Sequence, residues 1–208
     1  MESHSLAIYV VASLALIATP GQDMIYVISR SLAQGRLAGV ASAIGVCIGI
    51  LVHTALASLG VSAILHSSEA LFLVLKLAGA AYLVYLGIRM LLSRGPDGLR
   101  TAAASRQSLT SLAWQGVLSN VTNPKIVLFF FAFLPQFVDP ASPSPTRDLV
   151  LLGVLYAVMA LPVKIGVGLA AGSLSERVLR RPGALTWMNR VSGAVLVGLG
   201  LRIAAAER

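Results

Sequence analysis

Two charged residues lie inside stretches of sequence that are otherwise almost wholly apolar. Asp23 closes the segment Thr19-Pro-Gly-Gln-Asp23, and Lys125 closes the segment Asn120-Val-Thr-Asn-Pro-Lys125. A charge at the centre of a lipid bilayer costs about 2.5–3.5 kcal/mol on insertion scales, and ionisable residues there usually serve a pathway. An acid and a base around one cavity would complement the ammonium and the carboxylate of an amino acid.

A proline breaks each of these apolar stretches next to the charged residue. Pro20 and Pro124 each remove a helical hydrogen bond, and Gly21 permits the φ angles that a broken turn requires. The half-helices that follow expose N–H groups and a partial positive charge, which suit a carboxylate. Free backbone groups in hydrocarbon need a partner, so the breaks must face protein, water or a ligand. We therefore predict a substrate site built from Pro20, Gly21, Gln22, Asp23, Asn120, Asn123, Pro124 and Lys125.

Simpler structural roles would also account for these polar residues. Asp23 and Lys125 would pair with each other, or Asp23 would cap its half-helix while Lys125 extends towards the membrane surface. Gln22, Asn120 and Asn123 would satisfy the broken backbone rather than orient a substrate. The sequence leaves both interpretations open.

Titratable residues within apolar stretches are candidates for proton coupling. Asp23 is one, His53 titrates near neutral pH, and Lys164 follows Pro162. The alternative for the histidine is a buried, neutral, hydrogen-bonded ring. The alternatives for the lysine are helix packing or extension to the membrane surface.

The composition excludes an ordinary soluble domain. Hydrophobic residues make up 57% of the chain and charged residues 12%, against roughly 45–50% and 25% in soluble domains. The net charge of +8 could indicate nucleic-acid binding, but the arginines lie in short gaps between apolar runs. Cys47 is the single cysteine, which excludes disulfide frameworks and thiolate metal cages. We predict an all-α integral membrane protein without a nucleic-acid partner.

Six apolar segments are long enough to cross a bilayer, which takes about 20 residues each. The first and fourth contain the two breaks. No polar block between segments is long enough to form a second core, so residues 1–208 are predicted to form one transmembrane domain. The start of the chain lacks the basic segment of a signal peptide, so the first span is expected to be retained. The predicted spans are 5–33, 38–65, 69–92, 110–138, 148–174 and 184–204.

Basic residues predict the orientation of the chain. By the positive-inside rule, the loops after spans one, three and five are cytoplasmic and both termini face the periplasm. Arg147 and Arg202 weigh against this assignment. The arginines that support it are Arg30, Arg36, Arg94, Arg100, Arg106, Arg177, Arg180 and Arg181.

The two halves of the chain resemble each other. Span three contains Lys76-Leu-Ala-Gly79 and Leu86-Gly87-Ile-Arg89, and span six contains Arg190-Val-Ser-Gly193 and Leu199-Gly200-Leu-Arg202. Repeat one would cover 1–93, a cytoplasmic loop 94–109, and repeat two 110–208. Since each half has three spans, the second copy enters the membrane from the opposite side, which is an inverted repeat typical of secondary transporters.

Several motifs resemble the LysE/RhtB family of bacterial amino-acid exporters over nearly the whole chain. The family pattern commonly has a second proline where this chain has Gln22, which bears on substrate contacts more than on the fold. The resemblance implies efflux of amino acids or close derivatives across the inner membrane, driven by the proton motive force, without a bound cofactor. The motifs are Thr19-Pro-Gly-Gln-Asp23, Ser29-Arg-Ser-Leu-Ala-Gln-Gly35-Arg, Leu75-Lys-Leu-Ala-Gly-Ala-Ala-Tyr-Leu83 with Leu86-Gly87, and Asn123-Pro-Lys125 with Phe133-Leu-Pro-Gln-Phe-Val138.

Other functions remain open at this point. A membrane enzyme is disfavoured because the chain has no HExxH pair, Walker loop, GxSxG elbow or cysteine pair. An exporter of another small metabolite, a passive channel and a structural or assembly protein are the remaining alternatives. Gly45 and Gly49 form a GxxxG spacing that fits either an intramolecular contact or a homodimer. The expected partners are therefore an amino acid, the lipid bilayer and, as one alternative, a second copy.

Overall fold

A computed structural model describes residues 3–19, 21–67, 69–92, 106–139, 142–171 and 182–205. Every regular element within these ranges is helical, which confirms the all-α prediction. Among the predicted features, Pro20 and five of the loop arginines, namely 94, 100, 177, 180 and 181, lie outside the described residues. The α-helices are α1 (Ser3–Ala18), α2 (Gln22–Gln34), α3 (Arg36–Ser67), α4 (Glu69–Leu92), α5 (Leu109–Val121), α6 (Pro124–Leu128), α7 (Pro145–Ala171) and α8 (Pro182–Ala205).

Two helices are long and apolar enough by themselves to cross a membrane. The qualifying stretches are Arg36–Gly60 in α3 and Pro145–Ala171 in α7, each with a mean hydropathy of 2.1. Two bent helix pairs also qualify if each pair is taken as one span, which raises the number to four in the described part of the chain. Helices α4 and α8 contain shorter apolar stretches, so their predicted crossings remain predictions. These lengths and hydropathies support a membrane protein.

The two bent pairs coincide with the two interruptions that the sequence predicted. Helices α1 and α2 meet at 46°, with Gly21 as the N-cap of α2. Helix α5 and the segment Pro124–Phe137 meet at 53°. There Asn123 is the N-cap and Pro124 occupies the first helical turn, where its missing N–H costs no hydrogen bond.

The segment after the second break departs from the single regular helix that the sequence predicted. Helix α6 continues into a π-helical turn at Phe129–Phe133 and then a 3₁₀ turn at Leu134–Phe137. Pro135 has no N–H to donate, so a regular helix cannot pass through it unchanged. The wider turn directs Phe129 and Phe133 into the apolar core, where the Phe129 ring lies 4.8 Å from that of Tyr156.

Glycines bring α3 into direct backbone contact with α5 and α7. A Cβ atom at Gly45 would overlap the Ala113 carbonyl oxygen of α5. On the other side, a Cβ atom at Gly39 would lie 3.0 Å from the Cα atom of Gly168 in α7. The GxxxG pair therefore serves a contact within the chain, since Gly49 likewise faces Asn120.

A second glycine contact joins α4 to α8. The Cβ position of Gly87 lies 2.6 Å from the Gly193 carbonyl oxygen, and that of Gly200 lies 2.7 Å from the Ala80 carbonyl oxygen. Because the residue number rises along one helix as it falls along the other, the two helices run antiparallel.

Gly45→Ala is expected to lower the free energy of unfolding by about 1–3 kcal/mol, because the methyl group would overlap a backbone carbonyl that cannot move without α5. Gly166→Ala on α7 is the matched control, since its Cβ position has no atom of another helix within 4 Å among the described residues. The control is expected to gain up to about 1 kcal/mol from higher helix propensity. Thermal unfolding of the purified protein in detergent compares them, and equal midpoints would contradict the close α3–α5 contact.

Candidate functional site

A group of buried polar side chains surrounds the two helix breaks. We call it the polar cluster. Its members come from α2, α3, α5, α6 and α7 and from the break between α5 and α6, within otherwise apolar packing. Each is at most 6% exposed, so none takes its hydrogen bonds from bulk solvent. The cluster consists of Asp23, His53, Asn120, Asn123, Lys125 and Lys164.

Asp23 is the centre of the charged part of the cluster. Its Oδ2 atom lies 2.9 Å from Lys164 Nζ, and its Oδ1 atom accepts a 2.6 Å hydrogen bond from Asn123 Nδ2. The carboxylate sits in the first turn of α2, where the helix dipole favours a negative charge. One side chain thereby connects α2, α7 and the second break.

Lys125 has different partners from those that the sequence suggested. Its Nζ atom donates to the carbonyl oxygens of Leu16 and Thr19, at 3.2 and 3.3 Å. Both carbonyls lie at the end of α1, where the break removes their helical donors. The interpretation that Asp23 pairs with Lys125 is therefore wrong, because Lys164 takes that position. Extension of either lysine to the membrane surface is also wrong, since both are buried.

The structure explains the glycine at position 21 by available space rather than by the predicted backbone freedom. Its φ angle of −142° is accessible to any residue, so the break does not require a left-handed conformation there. An added Cβ atom would instead lie 2.9 Å from Lys125 Nζ. Glycine at this position leaves room for the ammonium group beside the broken backbone.

The predicted pair of free half-helix N-termini is wrong for the second break. Helix α6 has only five residues, and the Asn123 side chain accepts a 3.1 Å hydrogen bond from the Lys125 N–H. The end is thus capped internally by an asparagine that precedes a proline. At the first break, the N-cap Gly21 offers no side chain to α2.

His53 contacts the second break from α3. Its Nε2 atom lies 3.2 Å from the Asn120 carbonyl oxygen, and its ring packs against Phe130 at 5.8 Å. A carbonyl only accepts hydrogen bonds, so the contact requires the proton on Nε2. This arrangement agrees with the interpretation of a buried, hydrogen-bonded histidine, and its role in proton coupling stays a prediction.

Comparison with known proteins identifies the family. The model of the LysE type translocators matches residues 14–207. The chain belongs to the LysE type translocator family. This confirms the resemblance on which the sequence analysis relied, and no solved structure matches the chain.

Relatives of this LysE-family chain cover nearly all of it. It is 32% identical to an uncharacterized membrane protein of Vibrio cholerae, over 100% of both chains. It is 31% identical to the homoserine/homoserine lactone efflux protein of Salmonella typhimurium, over 96% of this chain and 95% of the relative. A leucine efflux protein of Klebsiella pneumoniae is 28% identical over 96% of this chain and 94% of its own length.

Two predicted site residues of the LysE-family chain are exposed, although each is next in sequence to a buried charge. Gln22 is exposed, and its Nε2 atom reaches Thr122 Oγ1 at 3.5 Å, at the limit of a hydrogen bond. Pro124 is exposed as well and shapes the break. Lys164 is the ion-pair partner of Asp23, although its sequence position indicates only a proton-coupling candidate.

Hydrogen bonds connect the C-terminal part of α2 to α5 and to the segment before it in this LysE-family structure. Arg30 Nη2 donates to Gln115 Oε1 at 3.0 Å, and the Tyr26 hydroxyl donates to the Leu112 carbonyl oxygen at 2.7 Å. The Gln107 N–H donates to Gln34 Oε1 at 2.9 Å. Helix α2 is therefore held at its start by the polar cluster and at its end by these hydrogen bonds, which sequence patterning did not indicate.

Proposed function

We propose that this chain exports amino acids or close derivatives from the bacterial cytoplasm across the inner membrane. The observation that carries the proposal is the buried ion pair of Asp23 and Lys164, beside Lys125, where two helices are broken. The names of the relatives from Salmonella typhimurium and Klebsiella pneumoniae, which are efflux proteins for homoserine or its lactone and for leucine, support it. We propose a transporter without a bound cofactor rather than an enzyme.

The charges of the cluster match those of the proposed substrate. The ammonium group of an amino acid would take the place of Lys164 beside Asp23. Its carboxylate would then face the freed Lys164 and Lys125. Separating a buried ion pair without replacing a partner is unfavourable, whereas this exchange keeps every buried charge compensated. The closed, self-paired arrangement would correspond to the state without substrate.

The same exchange offers a route to coupling with the proton motive force. A proton on Asp23 removes the charge that holds Lys164, so a proton and an ammonium group are alternative partners of one carboxylate. Asp23, Lys164 and His53 are the proposed proton-coupling residues. Of these, His53 would act through Asn120, which it contacts at the second break.

We further propose six membrane crossings in two inverted repeats, 1–93 and 110–208, within one domain. The antiparallel contact of α4 with α8 supports this arrangement. So does the contact of α3 with α7, because Gly39 meets Gly168 at one end while Thr54 meets Gly153 at the other. Corresponding spans of an inverted repeat run in opposite directions.

The proposed orientation places both termini in the periplasm. The hydrogen bond between Gln34 and Gln107 brings the ends of α2 and of the segment before α5 to the same side. Arg30, Arg36 and Arg106 flank these ends, and basic residues favour the cytoplasm. The proposed partners are the amino acid and the bilayer. A homodimer would need a surface other than Gly45 and Gly49, which α5 covers.

Cells that overproduce the protein and are fed dipeptides are expected to release one or a few amino acids several-fold faster than cells with an empty vector. A protonophore is expected to abolish the difference. Mass spectrometry of the whole extracellular amino-acid pool measures both. An unchanged pool would contradict amino-acid export and favour another small metabolite or a structural role.

A further inference from the structure

Three buried polar atoms at the junction of α3 with α5 have no hydrogen-bond partner among the described residues. They are Oδ1 and Nδ2 of Asn120 and Nδ1 of His53. Asn120 is 0% exposed and His53 is 2% exposed. Buried polar atoms nearly always have a partner, and an unsatisfied one weakens the fold. Single unpaired atoms also occur elsewhere, as at Ser42. Here three of them lie on two residues that contact each other, which points to a molecule that binds there.

The surrounding backbone leaves space for this amide. Gly49 and His53 lie one turn apart on α3, and both face Asn120. A Cβ atom at Gly49 would lie 2.7 Å from Cβ and 2.9 Å from Oδ1 of Asn120. Any residue larger than glycine at position 49 would displace the Asn120 side chain. Helix α3 therefore leaves room for the Asn120 amide, although no described residue forms a hydrogen bond with it.

The unpaired atoms define the chemistry of the missing partner. His53 donates from Nε2 to the Asn120 carbonyl oxygen, so its Nδ1 atom is an acceptor. The Asn120 amide adds donors on Nδ2 and an acceptor on Oδ1. These atoms carry no net charge. A neutral group that both donates and accepts, such as a hydroxyl or a carboxamide, matches them, whereas an aliphatic group would leave all three unpaired.

This neutral region adjoins the charges at which the substrate is proposed to bind. The Asn120 carbonyl oxygen also accepts a 2.9 Å hydrogen bond from the Asn123 N–H. The Asn123 side chain in turn donates to Asp23. Asn120 and the Asp23 carboxylate are thus connected through one turn of the broken helix.

We propose that Asn120 and His53 form a subsite for the side chain of the exported amino acid, which selects a hydroxyl or carboxamide over an aliphatic group of the same shape. This inference rests on the proposed function. It assigns the charged residues to the groups that all amino acids share, and the neutral pair to the group that distinguishes them.

Counterflow of labelled amino acids into liposomes that contain the purified chain tests the subsite. Three pairs of nearly equal shape are compared: threonine with valine, homoserine with norvaline, and asparagine with leucine. We expect the polar member of at least one pair to be transported about tenfold faster or more, as expected for loss of a buried hydrogen bond. A preference confined to the first two pairs identifies a hydroxyl, and one confined to the third identifies a carboxamide.

Asn120→Leu is expected to reduce that preference to about onefold, because leucine keeps the shape of asparagine and cannot donate or accept. Ser42→Ala is the matched control. Its hydroxyl is also buried on α3 with no partner in the described part of the chain, but lies about two turns before Gly49. The control is expected to keep the full preference.

Equal rates within all three pairs for the natural chain would overturn the subsite, and would indicate that only buried water occupies it. An unchanged preference in Asn120→Leu would overturn it as well. Because the first comparison uses the natural chain, equal rates in it overturn the subsite even if the variant fails to insert. Absence of counterflow for every amino acid would overturn the proposed function and, with it, the subsite.

Discussion

Lys164→Met is expected to abolish export and to lower the free energy of unfolding by about 3–5 kcal/mol. Methionine has a similar length but no ammonium group, so the Asp23 carboxylate would stay buried without its counter-ion. The Asn123 amide, its other partner, does not neutralise the charge. Thermal unfolding in detergent and efflux from overproducing cells measure the two effects.

The double variant Asp23→Leu with Lys164→Met is the control for this prediction. Removing both charges eliminates the uncompensated carboxylate, and apolar replacement of a buried ion pair is often neutral for stability. The double variant is therefore expected to regain most of the stability that the single variant loses. A double variant less stable than Lys164→Met would show that the ion pair does not account for the loss.

Lys125→Met is expected to reduce export by about thirtyfold or more, as truncation of a buried charged partner commonly costs 2–5 kcal/mol in binding. The Leu16 and Thr19 carbonyls would lose their donor, which is expected to lower the free energy of unfolding by about 1–3 kcal/mol. Labelled amino-acid efflux and thermal unfolding measure these changes.

Arg190→Gln is the matched control for Lys125→Met, because it removes one positive charge from an exposed position on α8. It is expected to leave both export and stability unchanged. If Lys125→Met exported at the natural rate, the ammonium group would have no part in transport, and its contact with the end of α1 would be purely structural.

The breaks could be predicted from the sequence because their causes are local. A proline removes a hydrogen bond wherever it stands in a helix, and Asp23 or Lys125 in an apolar run requires a buried partner. The limits of the helices could be predicted as well, because the length of an apolar run is also a local property of the sequence. The cap at the second break also has a local cause, since Asn123 before Pro124 is a typical N-cap with proline at N1, although a free half-helix N-terminus was predicted there.

The partners of the buried charges could not be predicted in this way. Lys164 meets Asp23 across 141 residues of sequence, and the apolar pattern of α7 is nearly uniform around the helix. Nothing local indicates which face of α7 points inward. The close approach of Gly21 to Lys125 likewise depends on how the two breaks meet in space. The three unpaired atoms of Asn120 and His53 likewise could not be predicted, because their lack of partners depends on how α3 and α5 pack.

Counterflow of a labelled amino acid into liposomes that contain only the purified chain measures whether transport depends on the buried ion pair of Asp23 and Lys164. The natural chain and the Asp23→Leu, Lys164→Met double variant are compared at equal amounts of folded protein. We expect saturable uptake by the natural chain and none by the double variant, because the exchange of charged partners needs both residues. Equal uptake by the two proteins would contradict the account, since a bundle without the buried ion pair would then transport as well as one that has it.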